Sequence, residues 1–192
     1  MNAKTNLNLF DSALQGFDDI AEGRSRPGHF QGVATVVTKL FNIVQPTNAY
    51  FGQKDAAQCC LIKRIVEDLD MPVNVNIMPT MREQDGLAMS SRNAYLTATE
   101  RKAAPVVYRS LCAARAMFDT LNDENESIPA AQLQEAVHEV LVSQPLVSEI
   151  QYVSIDDKDT MQHLEEVHRS KGALISLACK VGSVRLIDNI VL

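Results

Sequence analysis

The chain has 192 residues, 46% hydrophobic and 22% charged, enough to bury a core in one domain or two small ones. Its formal charge of -6 excludes a broad phosphate-backbone surface, which needs clustered Lys and Arg to release counterions, so no nucleic-acid partner is expected. No apolar run of about 18 residues occurs and MNAKTNLNLF lacks the apolar core of a secretion signal, so no membrane partner is expected and a cytoplasmic location is the default.

The first expected helix covers residues 11–21, with Leu14, Phe17 and Ile20 at spacings of three and Gly23 as its stop. A basic loop, RSRPGHF, follows. From Phe30 the apolar residues Val33, Val36, Val37, Leu40, Phe41 and Val44 recur at three and four, which predicts an amphipathic helix ended by Pro46. Ala49, Tyr50 and Phe51 read as a short strand entering Gly52, residues 55–68 as a helix, and VNVNIM, bounded by Pro72 and Pro79, as the next strand. Helix, strand, helix, strand at these spacings predicts part of a parallel α/β sheet.

Beyond residues 79–82 the chain changes character. A polar loop, MREQDGLAMSSRNAYL, precedes Thr97 and Glu100, which have the spacing of a capping box. This predicts a long helix to about Phe118 that Pro105 kinks or splits, then a second helix over residues 129–142. Residues 122–126 read as a solvated acidic loop. The tail is β-rich: residues 148–155 alternate, and residues 173–180 and 184–192 flank a turn at Val181, Gly182 and Ser183. Two domains are therefore expected, residues 1–80 as a partial α/β unit and 81–192 as a compact α+β unit.

Two polar clusters follow strands, where ligands of α/β proteins gather. The first is Gly52, Gln53, Lys54 and Asp55, with Gln58 three residues on. Gly52 permits close approach, Lys54 can put a cation on phosphate, and Asp55 can accept from a ribose hydroxyl at a helix start. The same spacing also fits an N-cap Asp beside a solvated Lys. The second cluster is Met89, Ser90, Ser91, Arg92 and Asn93, after Asp85 and Gly86. Two hydroxyls and a guanidinium beside a turn can cradle an anion, although Ser-Ser-Arg-Asn is also an ordinary loop composition. His29 reads as a structural hydrogen-bonder, with no Ser or Cys placed as its nucleophile. Cys59, Cys60, Cys112 and Cys179 lack paired metal-ligand spacing and read as reduced, mostly buried thiols, so no metal is assigned to side chains.

Taken together, EGRSRPGHFQGVATVVTKLFNIVQP, AYFGQKDAAQ, MPTMREQDGLAMSSRNAYLT and RLIDN resemble the pantothenate synthetase family, in the same order and at similar separations. The resemblance implies a Rossmann-like nucleotidyltransferase domain, incomplete here, followed by a small α+β carboxy-terminal domain that closes over the active site. It implies an ATP-dependent, AMP-forming ligase of coenzyme A precursor biosynthesis. Such an enzyme uses ATP and Mg2+ to condense pantoate with β-alanine through pantoyl adenylate, and is a homodimer in its full-length form. Position by position, it implies that Gly52, Gln53, Lys54 and Asp55 contact ATP, Lys54 at the phosphates and Asp55 at the ribose. Gln58 would bind pantoate, with Val33, Val36 and Val37 against its methyl groups. Met81 and Met89 would line the adenine pocket, and Ser90, Ser91 and Arg92 match a mobile phosphate-binding loop. Lys54, Ser90, Ser91 and Arg92 are the catalytic candidates. Gln53 stands where the family usually has Glu. The family's PTMG-x-LH-x-GH segment does not occur, so the chain is expected to be a fragment inactive alone or one piece of an enzyme completed by another polypeptide. The alternative is a non-catalytic binding or self-association module.

Overall fold

The computed structural model describes residues 13–192. The chain separates into two compact units, Met1–Pro79 and Thr80–Leu192.

In the amino-terminal unit, α1 (Ala21–Ser25) and α2 (His29–Val44) precede β1 (Asn48–Gly52), α3 (Ala56–Asp68) and β2 (Asn74–Met78). The expected helix over residues 11–21 is not continuous. Residues 11 and 12 lie outside the described residues, the chain turns at residues 15–19, and helix resumes only at Ala21. A spacing of three suits successive turns as well as a helix, and here Phe17 is folded back onto Phe30, with ring centroids 5.4 Å apart. Gly23 does not stop a helix but sits within α1, where a Cβ would lie 1.9 Å from the Phe17 carbonyl oxygen, so the close approach of that turn requires glycine.

β1 and β2 pair in parallel, from Asn48 opposite Asn74 to Gly52 opposite Met78, with α3 as the crossover between them. Val37 and Phe41 of α2 pack against Ile62 of α3, and Val33, Phe51 and Val75 close that cluster. The apolar stripe of α2 is wider than this contact. Val36, Leu40, Ile43 and Val44 remain exposed.

The carboxy-terminal unit holds α4 (Ala98–Ala103), α5 (Val106–Phe118), β3 (Ser127–Pro129), α6 (Ala130–Val142), β4 (Val147–Asp156), β5 (Glu166–His168), β6 (Leu174–Val181) and β7 (Val184–Val191). Thr97 accepts from the Glu100 amide while the Glu100 carboxylate accepts from the Thr97 amide, the reciprocal box that starts α4. Pro105 divides α4 from α5, since its ring cannot continue the hydrogen-bond ladder. β4, β6 and β7 form an antiparallel sheet in that order, with α5 and α6 packed on it and on each other. Leu111, Leu133, Leu141, Ile155 and Ile175 are fully buried between these layers. Val181 belongs to β6, opposite Val184, so the turn is shorter than expected and consists of Gly182 and Ser183. The small β3–β5 ribbon has no counterpart among the expected elements.

Candidate functional site

Gly52 ends β1, and residues 53–55 form one 3₁₀ turn that runs directly into α3. The turn lies at the carboxyl end of a parallel strand and at a helix start, where free amides and the helix dipole favour an anion. Gly52 and Asp55 are exposed, while Gln53, Lys54 and Gln58 are half-buried. Asp55 stands at the N-cap position but makes no side-chain cap bond, so the capping alternative does not account for its carboxylate. The Cys59 thiol donates to the Gly52 carbonyl at 3.4 Å, tying the first turn of α3 to the end of β1. Burial pushes the Cys59 thiol up to about 12, so it stays protonated and able to donate. Sequence reasoning missed this contact, for which a small buried residue facing the strand end is the only cue.

The three valines of α2 do not share one environment. Val33 and Val37 join the cluster that includes Phe51, next to Gly52. Val36, 52% exposed, instead lines an open groove of about 530 Å³ along α2 with Leu40 and Ile43. His29 begins α2 and accepts from the Arg26 guanidinium at 2.9 Å.

In the carboxy-terminal unit, the second cluster sits on a tight hairpin-like loop. The Met89 amide donates to the Met81 carbonyl at 2.9 Å, Arg82 bridges Ala88, and the Glu83 amide donates to Leu87 at 2.8 Å. This pairing sets Met81 and Met89 side by side, 69% and 47% exposed, with Leu87 and Ala88 buried between them in sequence. Ser90 then accepts from the Arg92 amide at 3.2 Å and starts the short turn Ser91–Tyr95, while Asn93 Nδ2 donates to the Ala88 carbonyl at 3.0 Å. Ser91 and Arg92 face solvent. The Arg101 guanidinium donates to Asp85 at 2.5 Å and, with the Leu87 amide, holds the Asp85 carboxyl below the usual aspartate range.

Arg82 is the residue that sequence reasoning left without a role. Its guanidinium donates to both Asp188 oxygens, at 2.6 and 3.0 Å, and lies 3.7 Å from the centroid of the Tyr108 ring. Asp188 and Asn189 form part of the RLIDN segment, which is the only cue in the sequence to this contact. Among the described residues no group of three or more His, Cys, Asp or Glu side chains is placed to hold a metal ion, and no helix is long and apolar enough to cross a membrane.

The parallel strand–helix–strand unit and the α+β unit after it make an α/β nucleotidyltransferase fold with a carboxy-terminal α+β domain. This architecture is shared with the crystal structure of pantothenate synthetase from Thermus thermophilus, at TM-score 0.79 and 44% identity over 88% of this chain and 58% of that one. The pantoate-beta-alanine ligase family model matches residues 7–191, and the chain belongs to that family. A pantothenate synthetase of Herpetosiphon aurantiacus is 52% identical over 93% of this chain and 62% of its own length. The crystal structure of pantoate-beta-alanine ligase from Francisella tularensis, complexed with beta-gamma ATP and beta-alanine, matches at TM-score 0.61 and 33% identity, over 91% of this chain and 55% of that one. The chain thus spans about three-fifths of the length of the curated relatives it matches.

Proposed function

We propose that the full enzyme carrying this sequence condenses pantoate with β-alanine to pantothenate, with ATP cleaved to AMP and pyrophosphate. The observation that carries this reading is family membership over residues 7–191. The ATP and β-alanine in the Francisella tularensis relative support the substrate assignment.

In the first step the pantoate carboxylate attacks the α-phosphate, forming pantoyl adenylate as pyrophosphate leaves. In the second, the neutral amine of β-alanine attacks the acyl carbon and AMP departs. Negative charge gathers on the phosphates during adenylation, and placed cations stabilise it better than reorienting water does. Lys54, at the helix-start turn after β1, serves the phosphates in this reading, with Gly52 and Gln53 giving close approach and Asp55 meeting the ribose. Ser90, Ser91 and Arg92 form a second phosphate-facing loop, with Met81 and Met89 against adenine. Gln58 binds pantoate, with Val33, Val36 and Val37 at its methyl groups. Closure of residues 81–192 as a separate domain would keep water from the adenylate. Mg2+ would enter this reading as an ion carried on the nucleotide phosphates, supplying positive charge there beside Lys54 and Arg92. A homodimer in the cytoplasm completes the reading, and sedimentation of the full enzyme checks the dimer.

The test is product formation from pantoate, β-alanine and ATP by the full enzyme. Lys54→Ala is expected to lower kcat/KM by about 10²-fold or more. Wild-type turnover in that variant, or no pantothenate from the wild type, would overturn the reading.

A further inference from the structure

Two arginines belong to the loop over residues 81–92, and their surroundings differ. Arg92 faces solvent. Arg82 is largely enclosed, its side chain 18% exposed against 1% for Asp188. Besides its two bonds to that carboxylate, the Arg82 guanidinium donates to the Gly86 carbonyl at 3.1 Å and to the Asn189 carbonyl at 3.4 Å. One planar group therefore ties the tip of the loop to β7.

The tip is held from a second side. Gly86 has φ +90°, and a Cβ there would lie 2.6 Å from Cδ1 of Tyr108, whose ring also carries the Arg82 guanidinium. Loop tip, ring, guanidinium and carboxylate thus form one packed stack between β7 and α5. Arg82 also bridges Ala88, and Met89 is bonded to Met81 next to it. Arg82 is thus linked through this pairing to Met89 and to the turn that starts at Ser90.

We propose that Arg82, clamped by Asp188 and Tyr108, is a positioning residue that sets where residues 89–92 stand for the nucleotide without touching it. The proposal rests on the reading of that loop as a phosphate and adenine contact. It concerns geometry and not charge, because a lysine would keep the cation while losing both the two-pronged bond and the flat stacking surface. A displacement of about 1 Å at a reacting group is enough to cost about 10²-fold in rate.

The test compares Arg82→Lys with wild type in the full enzyme. The KM for ATP is expected to rise about tenfold while that for pantoate stays within about twofold, the split that separates a nucleotide-side defect from general damage. Amides of residues 87 and 89 should exchange about tenfold faster, with those of β6 and α6 within about twofold of wild type. An ATP KM and loop exchange both unchanged in a folded Arg82→Lys would overturn the proposal, as would faster loop exchange without any change in KM for ATP. If Arg82→Lys loses protection in β6 as well, the isosteric Asp188→Asn, read in the same way, decides. Arg92→Ala separates the two ideas: an unchanged KM for ATP in that variant removes the phosphate-loop reading and with it the nucleotide role proposed for Arg82.

Discussion

The two candidate loops are held by different kinds of contact. In the amino-terminal unit, residues 52–55 take their shape from the end of a parallel strand and the start of α3, with a thiol-to-carbonyl bond from Cys59 joining the two. In the carboxy-terminal unit, residues 81–92 are paired along their own main chain and then anchored to the domain by side chains, with Arg82 on Asp188 and Tyr108 and Asp85 on Arg101. A loop made by main-chain geometry tolerates replacement of its neighbours so long as the strand and helix persist. A loop anchored by side chains can lose its placement while the domain beneath it stays folded.

Thiol chemistry offers the widest test of this contrast. Burial pushes both Cys59, beneath the first loop, and Cys179, in the sheet of the second unit, up to about 12. At neutral pH that suppresses the reactive thiolate by about a thousandfold relative to an ordinary cysteine. Both thiols should therefore resist alkylation until the protein unfolds, as read by peptide mass spectrometry. Fast labelling of Cys59 with Cys179 protected would show that the strand end opens locally and that the strand–helix frame does not hold the first loop closed.

Core substitutions sharpen the contrast at the next scale. Leu133→Ala, within the layered core of the carboxy-terminal unit, is expected to cost about 3 kcal/mol in urea unfolding. Ile62→Ala, in the smaller cluster beneath α2, should cost about 2 kcal/mol because its partly buried neighbours can relax into the gap more easily. Equal losses would show that the amino-terminal unit is packed as tightly as its neighbour.

The smallest effect belongs to Asp85. Its carboxyl is held below the usual aspartate range by the bond from Arg101 and the Leu87 amide, so its contribution to stability is present above that range and fades as pH falls through the lowered value. Its exposure keeps the contribution small. Asp85→Asn should therefore be slightly less stable than wild type near neutrality, with the gap closing in acid. A gap that persists at low pH would mean that Asp85 acts through its turn geometry and not through its charge.

Much of the fold is legible because its signals are local. The capping box at Thr97 and Glu100, the break at Pro105 and the period of α2 each lie within a few residues. The α/β character follows from the alternation of apolar segments. Elements with too few residues to show a period stay hidden, as β3 and β5 do. The helix expected over residues 11–21 fails because an apolar spacing of three also fits a chain folding Phe17 onto Phe30. The candidate site is legible mainly through resemblance, since Lys54 or Ser91 taken alone fits an ordinary solvated loop. Asp188 has no local signal for its partner, because the pairing is made across the fold.

That pairing joins residues 106 positions apart, and Asp188 lies on β7. During synthesis the loop cannot be anchored until β7 has emerged, long after its own residues have left the ribosome. Contacts of such long sequence separation carry a large loop-closure cost and tend to form late in folding. The loop that carries Ser90, Ser91 and Arg92 is thus among the last parts of the carboxy-terminal unit to take its final shape.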